Sequence, residues 1–243
     1  MYVVNGRLEH GLTVIPRRQT QGQGRSRNMW LSPVGCAMFT LQVHIPISSY
    51  LGSHISLLQH IAAVALVSAV RSIEGYENLD LKVKWPNDIY INNTIKIGGL
   101  IIPTQIEESL CICNIGAGVN LSNNKPTSCI NDIILQYNQK YGTKLKTFSY
   151  EKYLALVFNE LEILLDIVQS GNVEHFYQLY YKYWLHMNAN ITVIKPNGKS
   201  ENVTILGIDN FGYLLVQGNK GTKFSVHPDG NSFDFLKGLI VPK

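Results

Sequence analysis

The sequence predicts a mixed α/β (α+β) fold, in which helices cover a mixed sheet and a small β-barrel follows. Short runs of β-branched and aromatic residues alternate with turn residues over most of the first 120 positions. One long helical pattern interrupts these runs, and three more helical patterns come after them. Beyond Trp184, short strand patterns recur between turns rich in glycine and asparagine. We therefore expect a larger domain at residues 1–185 and the barrel at residues 186–243.

Local patterns place the individual elements. Strands are expected at residues 12–16, 35–45, 81–85, 95–102 and 110–115. Helices are expected at residues 53–72, 129–141, 149–169 and 173–184, where apolar residues recur at helical spacing. The barrel strands are expected at residues 191–194, 203–208, 213–216 and 224–226, all antiparallel.

The composition indicates a globular chain with a sizeable core. Of the 243 residues, 45% are hydrophobic and 16% are charged, and the formal net charge is +4, which excludes a disordered chain. The longest apolar run, residues 61–70, is about half as long as a bilayer-spanning helix, so no membrane segment is expected. The first 30 residues hold five arginines and one glutamate, but no basic stripe continues this charge. A nucleic-acid partner is therefore not expected.

The amino terminus and the cysteines bear on the cellular compartment. The opening residues lack the basic start and apolar stretch of a secretory signal, which predicts a cytoplasmic protein. In that reducing compartment the four cysteines are expected to be thiols. Cys111 and Cys113 share one face of a predicted strand, without a second pair at metal-ligand spacing. A structural role is therefore favoured over a metal or redox site.

A glycine-rich segment at residues 19–30 is the first candidate site. Gly22 and Gly24 allow backbone N–H groups to approach a ligand, and Arg25 and Arg27 offer planar cationic forks suited to phosphate or carboxylate. The pattern predicts an anion-binding loop, although a solvated turn would have the same composition. It lacks the Gly-Lys-Ser/Thr of a phosphate-binding P-loop, and a strand pattern rather than a helix follows it.

A hairpin pattern forms the second candidate site. Its turn is built from five consecutive residues, which are Lys84, Trp85, Pro86, Asn87 and Asp88. The return strand carries Lys96 followed by Gly98 and Gly99, and the glycines allow a ligand or another backbone to come close. A lysine held above such an apolar floor can pair with a carboxylate or phosphate. An edge lysine that deters aggregation is the alternative reading.

The third candidate site is the end of the strand that follows. Gly116 and Gly118 lie on one face of this strand and leave a bare surface against which a ring system could lie. Asn120 at its end offers a donor and an acceptor that suit the edge of an adenine. Tight packing between two sheets would explain the glycines equally well.

Three segments, taken together, identify a family. They read Arg-Gln-Thr-x-Gly-x-Gly-Arg-x-x-Asn-x-Trp-Leu-Ser-Pro-Val-Gly-Cys at residues 18–36, Val-Lys-Trp-Pro-Asn-Asp-Ile-Tyr at 83–90, and Val-His-Pro-Asp-Gly-Asn-Ser-Phe-Asp at 226–234. In this order they resemble the biotin protein ligases, most closely the C-terminal catalytic region of animal holocarboxylase synthetases. The resemblance covers nearly the whole chain.

The resemblance implies both a fold and a reaction. The fold is a catalytic domain like that of class II aminoacyl-tRNA synthetases, followed by an SH3-like barrel. The reaction combines biotin with Mg-ATP to give biotinyl-5′-AMP, and then transfers biotin to one lysine of a carrier domain. The implied partners are the biotin-carrier domains of acetyl-CoA, propionyl-CoA, pyruvate or methylcrotonyl-CoA carboxylases.

The resemblance also implies roles for single residues. Lys96 would be catalytic, meeting first the biotin carboxylate and then the acyl phosphate, and Arg25 would hold that phosphate. Asp88 is a weaker candidate for orienting the hairpin or binding magnesium through water. The implied biotin-binding set comprises Gln19, Gly22, Gln23, Gly24, Lys96, Gly116 and Gly118. The implied set for the adenylate comprises Arg25, Arg27, Asn28, Trp30 and Asn120.

Two departures from the family pattern bear on whether this chain is expected to be catalytically active. Gln23 stands where many bacterial members have arginine. The family's opening strand and Ser-Thr turn, which meet the biotin ureido group, have no counterpart in this sequence, so we expect a chain lacking its first elements. A longer form, cytosolic or mitochondrial, would supply them. A carrier-binding module without catalysis is therefore the alternative function, and a lipoate-attaching enzyme of the same fold is the enzymatic rival.

Overall fold

The larger part of the molecule is built around a seven-stranded sheet. A computed structural model describes residues 7–24, 29–194, 198–228, 231–234 and 239–242. The strand order in this sheet is β1-β4-β9-β7-β6-β5, with β8 also paired to β9. Its strands are β1 (Thr13–Val14), β4 (Cys36–Pro46), β5 (Leu81–Lys84), β6 (Asp88–Ile91), β7 (Ile95–Ile101), β8 (Thr104–Glu107) and β9 (Leu110–Asn120). The hairpin of β2 (Gln19–Gln23) and β3 (Met29–Ser32) stands apart from it.

Two long strands form the middle of the sheet. β4 and β9 pair over eleven residues, from Cys36 opposite Asn120 to Pro46 opposite Leu110. Nearly every residue of β9 is buried, which is why this strand reads as an apolar run rather than as an alternation. The sequence places its end at residue 115 because Gly116, Ala117 and Gly118 lack strand propensity. The strand continues to Asn120 because β4 and β7 hold it from both sides.

Helices accompany this sheet, and several of them pack against its strands. They are α1 (Tyr50–Ser53), α2 (Leu58–Arg71), α3 (Ile130–Tyr141), α4 (Tyr150–Gln169) and α5 (Val173–Tyr183), with a 3-10 turn at Ile55–Leu57. The predicted helix at residues 53–72 is correct only from Leu58 onward. α1 ends at His54, whose φ of −126° and ψ of 40° are not helical, and the chain turns before α2 starts. α2 is buried along almost its whole length because α4 and α5 pack over it.

The C-terminal part contains a second sheet. Its strand order is β13-β12-β11-β10-β15-β14. The strands are β10 (Asn190–Ile194), β11 (Ser200–Ile208), β12 (Leu214–Gly218), β13 (Lys223–Val226), β14 (Asn231–Asp234) and β15 (Leu239–Pro242). The predicted set of four antiparallel strands is incomplete, because β14 and β15 were missed and β15 runs parallel to β10.

The four cysteines are free and buried, as the sequence indicated. Burial raises the pKa of Cys36 to about 12 and that of Cys113 to about 11, so both are protonated at neutral pH. No helix in the described ranges is long and apolar enough to cross a membrane.

Candidate active site

The second and third candidate sites lie side by side in the sheet. β7 pairs with β9 so that Gly98 faces Val119 and Gly99 faces Gly118. A Cβ on Gly98 would come 3.0 Å from Val119 Cγ2 and 3.2 Å from the carbonyl oxygen of Gly118. Gly98 therefore allows the two backbones to pack closely on the core side. Gly99 and Gly118, opposite each other on the other face, have no side chains of their own, and we call the area they leave beside Lys96 the glycine surface.

Lys96 forms an ion pair at the edge of this glycine surface. Its Nζ lies 2.6 Å from Oδ1 of Asp88, and the other carboxylate oxygen lies 3.8 Å from Nζ of Lys84. The side chain of Lys84 is almost fully buried, whereas that of Lys96 is 40% exposed. A Cβ on Gly99 would lie 3.3 Å from Asp88 Oδ1 and 3.4 Å from Lys96 Nζ, so this glycine makes room for the pair. Lys96 is thus held by one carboxylate and still open to solvent.

The turn that carries Asp88 is clamped to β7. The Asn87 carbonyl accepts from the backbone N–H of Leu100 at 3.1 Å, and the Asn87 amide donates back to the Leu100 carbonyl. Trp85, 1% exposed, lies at the start of the turn, and Pro86 follows it through a cis peptide bond. The predicted hairpin is confirmed, with an irregularity between Ile89 and Tyr90 where β6 meets β7.

The first candidate site also reaches the glycine surface, through Trp30 on β3. A Cβ on Gly118 would lie 2.7 Å from the indole Nε1 of Trp30, so the indole rests directly on this glycine. Lys96 Nζ lies 5.7 Å from the centre of the same ring, within range of a cation–π interaction. The indole N–H is buried beside the Cys36 thiol and has no oxygen or nitrogen partner among the described residues. A donor of this kind suits a ligand that brings its own acceptor.

The other residues of the glycine-rich segment lie nearby or outside the described ranges. Gln19 and Gly22 pair with Ser32 and Trp30 across the β2–β3 hairpin, and Gln23 lies at its exposed end. Gly24 lines a cleft of about 360 Å³ together with Asn87 and Leu100. Arg25, Arg27 and Asn28 lie outside the residues that the structure describes.

Asn120 organises the loop after β9. Its Nδ2 donates to the Thr127 hydroxyl at 3.1 Å and to the Ser128 carbonyl at 3.2 Å, and its Oδ1 accepts from Asn123 at 2.8 Å. Both amide hydrogens are therefore in use, and one acceptor position on Oδ1 remains. The sequence indicated an amide facing a ligand but gave no sign of this loop-holding role.

The surroundings of Asp88 do not fit a protein-held magnesium ion. Oxygen-rich ligand sets are what magnesium prefers, whereas the nearest charged groups here are the ammonium groups of Lys84 and Lys96. In the part of the chain that the structure describes, no three His, Cys, Asp or Glu side chains come together as a metal site. The geometry instead places Asp88 as an ion-pair partner of Lys96, a contact that the sequence did not indicate.

Family models match two parts of this chain, and related proteins match nearly all of it. The model of the biotin/lipoate A/B protein ligase family matches residues 4–120, and that of the biotin protein ligase C-terminal domain matches residues 186–238. The chain is 32% identical over 239 residues to biotin–protein ligase 2 of Arabidopsis thaliana, covering 96% of this chain and 70% of that protein. The chain belongs to the biotin protein ligase family.

Other members of the biotin protein ligase family extend the comparison. The human biotin–protein ligase is 44% identical over 235 residues, which cover 97% of this chain but 32% of the human protein. This chain therefore spans about a third of the length of that relative. The Aquifex aeolicus biotin protein ligase, solved in complex with biotin and ATP, has a TM-score of 0.64 at 18% identity, covering 91% of this chain and 88% of that one. The mixed α/β fold expected from the sequence is confirmed.

The sequence pattern does not show the roles of two residues at this candidate site. Gly99 was noted as a close-approach glycine, but not as the residue that makes room for the Lys96–Asp88 pair. Lys84 was noted only as part of the hairpin motif, whereas it lies near the second oxygen of Asp88. Its spacing of four residues from Asp88, across a tight turn, was the available signal.

Proposed function

We propose that this chain makes biotinyl-5′-AMP from biotin and ATP and transfers the biotin to a lysine of a carrier protein. In the first step, a biotin carboxylate oxygen bonds to the α-phosphorus of ATP and the bond to pyrophosphate breaks. In the second, the lysine amine bonds to the acyl carbon and AMP leaves. The observation that carries this proposal is the Lys96–Asp88 pair beside the glycine surface under Trp30.

Lys96 supplies the electrostatic part of this chemistry. An ammonium group that is already positioned can meet the biotin carboxylate and then the acyl phosphate, where negative charge develops. Asp88 holds it in place before the ligand arrives. Because Lys96 is 40% exposed, it can turn toward an incoming anion without a rearrangement of the sheet.

The biotin rings occupy the glycine surface. Gly116 and Gly118 lie beneath the rings, and Trp30 either moves aside or stacks on them. Four residues that precede Arg25 line one side of the site: Gln19, Gly22, Gln23 and Gly24. Arg25 holds the adenylate phosphate, and Arg27 and Asn28 also contribute to adenylate binding. Asn120 contacts adenine through Oδ1, which still has one acceptor position for an amino hydrogen.

Substrates and partners follow from the same proposal. Magnesium arrives as Mg-ATP rather than on a protein site. The acceptor lysines belong to the biotin-carrier domains of acetyl-CoA, propionyl-CoA, pyruvate or methylcrotonyl-CoA carboxylases. Residues 1–185 form the catalytic domain and residues 186–243 an SH3-like barrel, and the enzyme acts in the cytoplasm, with a longer form in mitochondria.

The second matched family model favours biotin over lipoate. The first model covers both kinds of ligase, but the match at residues 186–238 is to a domain described for biotin protein ligases. Competition between biotin and lipoate in the adenylation assay tests this choice directly. We expect biotin to be used, and lipoate to leave its rate unchanged.

Incubation with biotin, radiolabelled ATP and a purified carrier domain tests the whole proposal. We expect labelled biotinyl-AMP without the carrier, and biotin on one carrier lysine when the carrier is present. A chain that binds the carrier but forms no adenylate would instead be a non-catalytic binding module.

A further inference from the structure

A turn of the C-terminal domain contacts the catalytic hairpin at Trp85. This turn, Asp209 to Tyr213, joins β11 to β12, and we call it the anchor turn. The Asp209 Oδ1 accepts from the backbone N–H groups of Phe211 and Tyr213, both at 2.9 Å, and Oδ2 accepts from the Ser225 hydroxyl. One carboxylate therefore fixes the shape of the turn and ties it to β13.

The carbonyl of Gly212 projects from the anchor turn into the catalytic domain. It accepts from the indole Nε1 of Trp85 at 3.0 Å and from Nε2 of His60 at 2.9 Å. Both donors are buried, His60 on α2 and Trp85 at the start of the catalytic turn. Gly212 has a φ of +73°, and a Cβ there would collide with the His60 ring. Only glycine fits this position without strain.

A second bond holds Trp85 from the other side. Its backbone N–H donates at 3.1 Å to Nε2 of His186, which lies between α5 and β10. The backbone N–H of Leu185 also donates to the Val83 carbonyl at 3.0 Å. Trp85 is thus fixed at both its backbone and its ring by residues that follow the helices in the chain.

We infer that the anchor turn is a positioning element for the Lys96–Asp88 pair. Trp85 lies three residues before Asp88 and one after Lys84, so a change in its position moves the carboxylate that holds Lys96. Gly212 and His60 act through Trp85 and do not touch the ligand. This inference rests on the proposed adenylation only for its effect on catalysis. Its structural part, the ordering of the 84–88 turn, stands on its own.

Four variants of the full chain test the inference. His60→Leu removes the donor to Gly212, and His60→Gln keeps a donor at about the same distance. Asp209→Ala opens the anchor turn without touching the catalytic domain. Asn202→Ala is the control, since among the described residues its side chain contacts Thr192 inside the second sheet, away from the anchor turn.

Hydrogen exchange of residues 83–90 is the first measurement. We expect His60→Leu and Asp209→Ala to raise exchange there at least tenfold, with residues 37–43 of β4 unchanged, and His60→Gln and Asn202→Ala to match the wild type. Unchanged exchange in folded Asp209→Ala would overturn the inference. If His60→Leu does not fold, Asp209→Ala decides the matter.

Adenylation kinetics are the second measurement. We expect the two loosening variants to lower kcat about tenfold, with the KM for ATP within threefold of wild type, and His60→Gln to recover kcat. A loosened hairpin with unchanged kcat would overturn the positioning role. If the wild type itself makes no adenylate, the proposed function fails, and the exchange measurement alone decides whether the anchor turn orders the hairpin.

Discussion

The carboxylate of Asp88 lies between two lysines, 2.6 Å from Nζ of Lys96 and 3.8 Å from Nζ of Lys84. Each oxygen of Asp88 faces a different ammonium group. When Lys96 turns toward an anionic substrate, Asp88 therefore keeps a cation beside it. The buried Lys84 reduces the cost of releasing Lys96, because the carboxylate is not left isolated.

Replacing Lys96 tests its role in charge stabilisation. Lys96→Ala should lower the rate of biotinyl-AMP formation by about a hundredfold or more, the scale for removing one donor that meets developing charge. Lys82→Ala is the matched control, since Lys82, on β5 of the same sheet, contacts two groups at the surface, Asp80 and Asn93. It should retain the rate within twofold. A Lys96→Ala enzyme with near-normal turnover would remove Lys96 from the site.

Replacing Asp88 tests whether the pair is preformed. Asp88→Asn should lower kcat for adenylation at least tenfold and lower the free energy of unfolding by about 1–3 kcal/mol, because two partly buried ammonium groups lose one carboxylate. Asp80→Asn, which affects the exposed pair with Lys82, should change stability by no more than about 0.5 kcal/mol. Equal effects of the two substitutions on urea denaturation would argue against a buried role for Asp88.

The sequence predicted the hairpin well because its chemistry is local. Turn residues such as Pro86 and Asn87 act on their own neighbours, so their pattern is readable in a short window. The helix at residues 53–72 was placed too early because the non-helical backbone of His54 does not alter the apolar periodicity of the sequence.

Contacts between distant segments were not predictable in the same way. Trp30 rests on Gly118, 88 positions away in the chain, and Gly212 receives the indole of Trp85 across 127 positions. No periodic pattern in the sequence predicts such contacts, because they depend on how the two sheets and α2 pack. The sequence pattern did not predict β14 and β15. β15 pairs with the distant β10, and no turn residues near it indicate that pairing.

The contact of Trp30 with Gly118 gives a steric test of the proposed biotin site. In Gly118→Ala the new methyl group would lie 2.7 Å from the indole nitrogen, so it would displace any ring that rests on this glycine, whether the indole or the proposed biotin. We expect calorimetry to show at least a tenfold loss of biotin affinity, about 1.4 kcal/mol, with the fold retained. Gly218→Ala on β12 is the control, because its methyl group would displace only the flexible end of Glu201. If both variants bind biotin like the wild type, the glycine surface is not the biotin floor.

The two histidines that hold Trp85 and Gly212 predict a loss of stability in mild acid. Burial lowers the pKa of His60 from 6.5 to about 4, and burial, with the nearby charge of Lys84, lowers that of His186 to about 3. The unfolded chain therefore takes up these protons below about pH 6.5, while the folded chain does not until its lower pKa is reached.

Stability from each histidine is thus complete above pH 6.5 and falls as the pH drops toward the folded pKa. When the pH is lowered from 7.5 to 5.5, protonation of each histidine in the unfolded chain should lower the free energy of unfolding by about 1.4 kcal/mol. His60→Gln keeps the donor but cannot take up the proton, so urea denaturation at the two pH values should show about 1.4 kcal/mol less loss than in the wild type. His175→Gln, an exposed position on α5, should lose as much as the wild type. If His60→Gln is as acid-sensitive as the wild type, His60 is not held neutral against the Gly212 carbonyl.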